Sequence, residues 1–254
     1  MSNGNGHGDQ NGLGNQNGQG QNQGGEGEHN HVRYLTLHSH AHVALGSSGA
    51  VVHLQGNHIT LTGTSGNVTV TGQHTNHDTI ALGNGTDVVA LSGNHDDVTL
   101  GNGNDAVALG AHSQHDTVKV RNGTDTITTA AGDQHNTFLL DASTSSLVLR
   151  TGNVVFVNGG DDTITDSPAG ADKLTLHVGS SGGVIDIANF SAAHGVVDLT
   201  PNLGFSSGSD AAASLRHDGH GGSLLRLGHH GSLGSIDFQG VPLGLLHASN
   251  FTVT

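Results

Sequence analysis

The sequence predicts an all-β protein, a parallel β-roll of the β-solenoid class with about 18 residues per coil and a C-terminal β cap. Three observations indicate this fold. An acidic residue returns every nine residues, an apolar-x-apolar triplet follows each one, and glycine is abundant while large aromatic side chains are scarce. A fixed short period is typical of solenoids, because each repeat is one structural unit that stacks on the next.

The nine-residue period is clearest where Asp78, Asp87, Asp96 and Asp105 follow one another. Alternation of apolar and polar residues over three positions is typical of short, half-buried strands. Similar strands, separated by Gly, Asn and Ser turns, run from Tyr34 to about residue 177. The four clearest triplets are Ile80-Ala81-Leu82, Val89-Ala90-Leu91, Val98-Thr99-Leu100 and Val107-Ala108-Leu109.

The composition supports a solenoid fold and limits the classes of molecule that the protein is expected to bind. The 254 residues include 42 glycines, only 3% aromatics and no Trp, so the chain lacks the large side chains of an ordinary globular core. Acidic residues outnumber basic ones 21 to 7, for a formal net charge of −14. This charge disfavours nucleic acids and anionic membranes as partners and favours cations.

Three regions follow from these patterns. Residues 1–32 form a Gly/Asn/Gln-rich low-complexity arm, 33–178 the β-roll, and 179–254 a set of capping strands with a flexible Gly/Ser/Ala stretch near 204–223. Cysteine is absent, which excludes disulfides, and no apolar run is long enough to span a membrane. The N-terminus shows none of the features of a cleaved signal peptide.

Two turns per coil place the turns on two edges of different chemistry. On edge one, glycine turns end at Asp87, Asp105, Asp125 and, further on, Asp162. On edge two, the aspartates or their counterparts follow a histidine, in His77-Asp78, His95-Asp96, His115-Asp116 and His135-Asn136. Histidines elsewhere, among them His40, show no relation to this edge.

The edge-one turn Gly101-Asn102-Gly103-Asn104-Asp105-Ala106-Val107 resembles the GGxGxDxUx nonapeptide of the RTX (repeats-in-toxin) family, with Asn in place of the second Gly. The C-terminal strings Ile236-Asp237-Phe238-Gln239-Gly240-Val241 and Asn250-Phe251-Thr252-Val253 resemble the closing region of proteins exported by type I secretion. This resemblance implies a calcium-binding β-roll, an uncleaved C-terminal export signal, a type I exporter as partner and an extracellular location.

Elementary electrostatics also favours calcium on edge one. Carboxylates stacked at the inter-strand spacing of about 4.8 Å repel one another, and a hard divalent ion that accepts six to eight oxygens removes that repulsion. We expect about two to four Ca²⁺ ions held by carboxylates and glycine carbonyls. The alternative is that these aspartates are ordinary turn formers. The expected ligands are Gly83, Gly85, Asp87, Gly101, Gly103, Asp105, Gly123, Asp125 and Asp162.

The histidine edge leaves three interpretations open. Imidazoles one coil apart are ligands for a shared transition metal such as Zn²⁺, Ni²⁺ or Cu²⁺. They also form a pH switch if protonation makes them repel, or a hydrogen-bonded, solvated ladder without further role. The candidate residues of this second edge are His77, Asp78, His95, Asp96, His115, Asp116 and His135.

No catalytic motif accompanies the repeats. The chain has no Gly-x-Ser-x-Gly elbow and no His-Glu-x-x-His zinc motif, so we expect it not to be an enzyme. The sequence favours an extracellular structural or adhesive component (biofilm matrix, surface layer or filament subunit) that folds and self-associates with calcium. The alternatives are a small secreted effector acting on host cells or membranes, and an accessory module of a carbohydrate-active enzyme.

Overall fold

The computed structural model describes residues 32–254 except 131–132, 142–143, 151, 167–173 and 180–182. The predicted low-complexity arm, apart from Val32, lies outside the described residues. None of the helices within these ranges is long and apolar enough to cross a membrane.

The described residues form 22 strands, one α-helix and four short 3₁₀ turns. The strands are β1 (Arg33–His38), β2 (His42–Ala44), β3 (Ala50–Gln55), β4 (Thr60–Thr62), β5 (Val68–Asn76), β6 (Thr79–Ala81), β7 (Val88–Asn94), β8 (Asp97–Thr99), β9 (Ala106–Leu109), β10 (Thr117–Val120), β11 (Thr124–Thr129), β12 (Thr137–Leu140), β13 (Thr144–Val148), β14 (Val154–Val157), β15 (Asp162–Thr165), β16 (Thr175–Val178), β17 (Gly183–Ala188), β18 (Val196–Leu199), β19 (Arg216–His217), β20 (Ser223–Arg226), β21 (Gly234–Gln239) and β22 (Phe251–Val253). The helix is α1 (Gly208–Ser214), and the 3₁₀ turns are Pro201–Leu203, His229–Gly231, Leu243–Leu245 and Ala248–Asn250.

The strands build two sheets. From β1 to β18 all pairs are parallel, and neighbours in one sheet are separated by one strand of the other; β19, β20 and β21 pair antiparallel at the C-terminal end. One sheet has the order β1-β3-β5-β7-β9-β11-β13-β15-β17-β21-β20-β19, and the other has β2-β4-β6-β8-β10-β12-β14-β16-β18-β22. This alternation is the topology of a parallel β-solenoid and confirms the predicted fold class. The solenoid has about eight turns of roughly 19 residues, close to the length expected from two nonapeptides.

The core lies between the sheets and consists of columns of small aliphatic side chains. Val70, Val89, Val107 and Ile127 pair in register along one sheet, and each is at most 2% exposed. The other sheet contributes Ile80, Val98, Val118 and Phe138 in the same way. The apolar positions of the predicted triplets therefore point inward, and each coil covers the apolar face of its neighbours.

At the C-terminal end the parallel pairing continues past residue 179 through β17 and β18, and β21 and β22 extend it. The predicted terminal strands are present as β20, β21 and β22. The prediction of a flexible stretch at 204–223 is wrong, because this segment contains α1. Ser207 caps the helix by accepting a hydrogen bond from the Asp210 N–H at 3.2 Å. The Asp-Ala-Ala-Ala run inside it favours helix over loop.

Candidate functional site

The edge-one aspartates lie in one buried column. Asp87, Asp105 and Asp125 occupy equivalent positions in three successive coils and are at most 2% exposed. Ser145 takes this position in the next coil, and Asp162 takes it one coil later. We call Asp87, Asp105, Asp125 and Asp162 column A.

Each carboxylate of column A has one oxygen inside the backbone ladder. Oδ1 of Asp87 accepts from the Val68 N–H at 2.8 Å, Oδ1 of Asp105 from the Asp87 N–H at 2.9 Å, and Oδ1 of Asp125 from the Asp105 N–H at 3.0 Å. The side chain of one coil thus satisfies the backbone of the coil before it. This bond fixes the direction in which every carboxylate points.

The second oxygen of these carboxylates has no such bond. Oδ2 of Asp87, Asp105 and Asp125 is buried and has no hydrogen-bond partner among the described residues. Burial therefore raises the pKa of Asp87 and of Asp125 to about 6, and that of Asp105 in the same direction. A buried, unpartnered carboxylate oxygen is costly, so the column favours either a proton or a cation at this position.

Backbone carbonyls converge on the same edge. A Cβ on Gly103 would overlap the carbonyl oxygen of Gly85 and lie 3.2 Å from Oδ1 of Asp105. A Cβ on Gly85 would lie 2.7 Å from the carbonyl oxygen of Gly66 and 3.3 Å from Oδ1 of Asp87. Only glycine fits these turns, and its absent side chain leaves carbonyl and carboxylate oxygens close together.

The remaining predicted glycines have identifiable places. The carbonyl of Gly83 accepts from the Gly101 N–H at 3.1 Å, so this carbonyl takes part in the ladder between coils. A Cβ on Gly123 would overlap the carbonyl oxygen of Gly103, and the Gly123 carbonyl accepts from the Thr144 N–H at 2.8 Å. The carbonyl of Gly66 lies on the same edge, but the sequence does not indicate it. Its coil has Val68 at the column A position, so the aspartate that marks the other edge-one turns is absent.

Asp162 ends column A. It is 1% exposed, and its Oδ1 accepts from the Ser145 N–H at 2.9 Å. Burial raises its pKa to about 7. Because Ser145 separates it from Asp125, Asp162 has no carboxylate neighbour one coil away on that side.

A second column runs along edge two. We call Asp78, Asp96 and Asp116 column B, and Asn136 and Asn153 continue it. The same ladder repeats: the Asp78 N–H donates to Oδ1 of Asp96 at 2.9 Å and the Asp96 N–H to Oδ1 of Asp116 at 2.8 Å. Burial raises the pKa of Asp96 to about 8 and that of Asp116 to about 7.

The asparagines of this edge show that the position accepts a neutral group. Oδ1 of Asn136 accepts from the Asp116 N–H at 2.9 Å, as a carboxylate oxygen does elsewhere in the column. Its Nδ2 donates to the Ser113 carbonyl at 3.3 Å. Column B therefore accepts a neutral amide in place of a carboxylate. Oδ2 of Asp78, Asp96 and Asp116 is nevertheless buried without a hydrogen-bond partner in the described residues, as in column A.

The histidines of edge two are exposed and stacked. Neighbouring ring centroids lie 5.2, 5.0, 4.9, 5.0 and 5.3 Å apart along the column, with planes within 15° of parallel. All six residues have positive φ, between 58° and 63°. We call this set the imidazole stack; its members are His40, His58, His77, His95, His115 and His135.

The stack corrects the sequence interpretation in one respect. His40 belongs to it, although it showed no relation to the edge in the sequence, and His58 was overlooked. Ala41 and Ile59 follow these two histidines, so the acidic residue that marks the later coils is missing there. In the described residues, no ring nitrogen of the stack is hydrogen-bonded to another protein group, and the rings face one another in parallel.

Within the described part of the chain, no three or more His, Cys, Asp or Glu side chains are arranged as a metal site. An ion in column A would thus need backbone carbonyls and water besides carboxylates. Comparison with protein-family models, with curated proteins and with solved structures gives no match. The resemblance to the RTX family therefore rests on the repeat residues alone.

Proposed function

We propose that this chain is a secreted structural or adhesive β-solenoid whose coils are stabilised by Ca²⁺ bound along column A. The observation that carries the proposal is the buried, unpartnered Oδ2 of Asp87, Asp105 and Asp125. These three carboxylate oxygens lie in successive coils and have no protein donor in the described residues.

The chemistry of the ligands favours calcium over other cations. Column A offers carboxylate and carbonyl oxygens only, which suit hard ions, and no nitrogen or sulfur ligand is near in the repeat. Ca²⁺ tolerates irregular coordination and long oxygen distances, whereas Mg²⁺ requires near-ideal octahedral geometry. The net charge of −14 further favours cation uptake.

Calcium levels supply the argument for an extracellular role. Extracellular calcium modules bind in the range of about 10⁻⁴–10⁻³ M. A chain that needs such levels stays unfolded where calcium is scarce and folds after export, because metal binding to the folded state adds directly to its stability. The terminal strings that resemble a type I secretion signal contribute to β21 and β22, the last parallel strands of the two sheets.

The strand edges at the ends of the solenoid are candidate surfaces for self-association. The outer edges of β1 and β2 have no strand partner among the described residues, and Tyr34 on β1 is 79% exposed. At the other end, β22 contacts α1. An open sheet edge is a template for pairing with another chain. The open edges of β1 and β2 support self-association through the N-terminal end.

A circular dichroism titration with Ca²⁺ tests the proposal. The variant Asp105→Asn keeps the Oδ1 acceptor, as Asn136 does in column B, and removes the charge. We expect it to need more calcium than the wild type, and Asp87→Asn/Asp105→Asn/Asp125→Asn to lose the calcium response. Asp97→Asn, at an exposed position of β8, is the matched control and keeps the wild-type midpoint. Full β structure of the wild type in excess chelator contradicts the proposal.

Negative-stain microscopy of the calcium-loaded protein tests the structural role separately. Ordered fibres, sheets or end-to-end dimers support it. A stable monomer that permeabilises liposomes favours the effector interpretation instead, even if calcium drives folding.

A further inference from the structure

The imidazole stack presents a row of ligand atoms that the calcium proposal leaves unused. Its six rings lie in register on the solvent side of edge two, one ring per coil from His40 to His135. Their ring nitrogens make no hydrogen bond to other protein groups in the described ranges. The nitrogens are thus open to a ligand from solvent.

The backbone restricts these positions but does not require histidine at every one of them. Each residue of the stack is in the left-handed region, which favours glycine and, among other residues, asparagine, aspartate and histidine. Asn189 adopts the same region elsewhere in the chain. The turn is already held by the main chain, since the His77 N–H donates to the Asn94 carbonyl at 3.1 Å and the His95 N–H to the Gln114 carbonyl at 3.0 Å. Repeated use of histidine there points to a role for the ring.

We propose that the imidazole stack binds divalent transition-metal ions of the Zn²⁺, Cu²⁺ and Ni²⁺ class, each held by two histidines of adjacent coils. Neutral imidazole nitrogen is a preferred ligand of these ions, whereas calcium prefers oxygen. Polyanions are the other ligands that a histidine row attracts, but the net charge of −14 and the carboxylates of column B, one residue further along, oppose them.

The spacing sets what such a site requires. Zn–N bonds of about 2.0–2.1 Å place two nitrogens of a tetrahedral site roughly 3.3 Å apart. The ring centroids of His77 and His95 are 4.9 Å apart with planes 3° from parallel. Each pair must therefore turn its rings so that their nitrogen-bearing edges approach one another, and water completes the coordination. Six rings taken as adjacent pairs hold at most three ions.

The surroundings predict modest affinity. A metal-ligating histidine usually donates its second ring nitrogen to a carboxylate or carbonyl, and losing such support costs about 10- to 100-fold in affinity. The stack lacks these contacts in the described residues. Binding is thus expected to be reversible.

Calorimetry with Zn²⁺ on the full chain, in saturating Ca²⁺ so that column A is filled, tests this inference. The variant His77→Asn/His95→Asn/His115→Asn uses a residue that accepts positive φ and leaves only His40 and His58 as an adjacent pair. We expect its zinc stoichiometry to fall from about three towards one. The matched control, His53→Asn/His194→Asn/His217→Asn, removes three exposed histidines outside the stack and keeps the wild-type stoichiometry.

Two further measurements separate the outcomes. Circular dichroism in Ca²⁺ confirms that the stack variant is folded; if it is not, the single variant His95→Asn replaces it. Electron paramagnetic resonance of added Cu²⁺ counts the nitrogens on each ion, and two imidazoles per ion is the expected result. Equal zinc binding by the wild type and the stack variant overturns the inference. A stack that alters only the acid stability of the protein, without binding zinc, overturns it as well.

Discussion

The backbone N–H of Asp87 donates to Oδ1 of Asp105, one coil away, at 2.9 Å. One oxygen of each column A carboxylate is thereby committed to holding two coils in register, and the other is left buried without a partner. The same carboxylate joins two coils through Oδ1 and leaves a buried Oδ2 that a proton or a cation would stabilise. Stability of the solenoid and occupancy of column A should therefore change together.

Substituting Gly103 tests whether the close approach of the turns matters. In Gly103→Ala the new Cβ meets the Gly85 carbonyl and the carboxylate of Asp105, so we expect a loss of about 1–3 kcal/mol in the free energy of unfolding. Calcium affinity should fall as well. Chemical denaturation in Ca²⁺ measures the first effect. Gly244→Ala, where a Cβ has no neighbour within 4 Å, serves as control and should be nearly neutral.

Completing column A tests the ligand assignment by gain of function. Ser145 lies between Asp125 and Asp162 in the column. In Ser145→Asp a fourth successive carboxylate follows Asp125, so we expect at least one additional Ca²⁺ ion bound at saturation. Isothermal titration gives the count. Ser146→Asp places the same charge on the exposed face of β13 and should leave the count unchanged.

Column B predicts a pH dependence of stability at saturating calcium, where column A is occupied. Burial raises the pKa of Asp96 to about 8 and that of Asp116 to about 7, from the ordinary 3.8 of an aspartate. A carboxyl group with a raised pKa is protonated in the folded state and ionised in the unfolded chain over this interval. Stability is therefore lost as the pH rises from about 4 to 8, and the full penalty remains above that.

Thermal unfolding in saturating Ca²⁺ between pH 5 and pH 8.5 measures this effect. Asp96→Asn keeps the Oδ1 acceptor and removes the titrating group, so it should be more stable than the wild type at pH 8.5 and have a flatter profile. A wild-type protein that becomes more stable towards pH 8.5 would contradict the proposed state of column B.

The sequence predicted those features that repeat with one fixed period. The inward direction of Ile80 and Val98 follows from two-residue alternation, and the alignment of Asp87 with Asp105 follows from two nonapeptides per coil. Steps between coils vary, however: 18 residues separate Asp78 from Asp96, 20 separate Asp96 from Asp116, and 17 separate Asn136 from Asn153. A strict nine-residue period therefore does not align equivalent residues of successive coils outside the central part of the solenoid.

Other features depend on contacts that the sequence does not display. The pattern does not reveal which carboxylate oxygen joins the ladder, because that choice depends on the N–H of a residue one coil away. The stacking of His40 and His58 was hidden because Ala41 and Ile59 replace the acidic residue that marks later coils. Helix α1 was hidden by the Gly- and Ser-rich residues around its short alanine run.

The most direct test of the central claim is a crystal structure grown in Ca²⁺, with an anomalous difference map to locate the ions. We expect anomalous peaks along edge one, within about 2.3–2.6 Å of carboxylate oxygens of column A and of neighbouring glycine carbonyls. An ordered solenoid at saturating Ca²⁺ with no peak beside Asp87, Asp105 or Asp125 would contradict it.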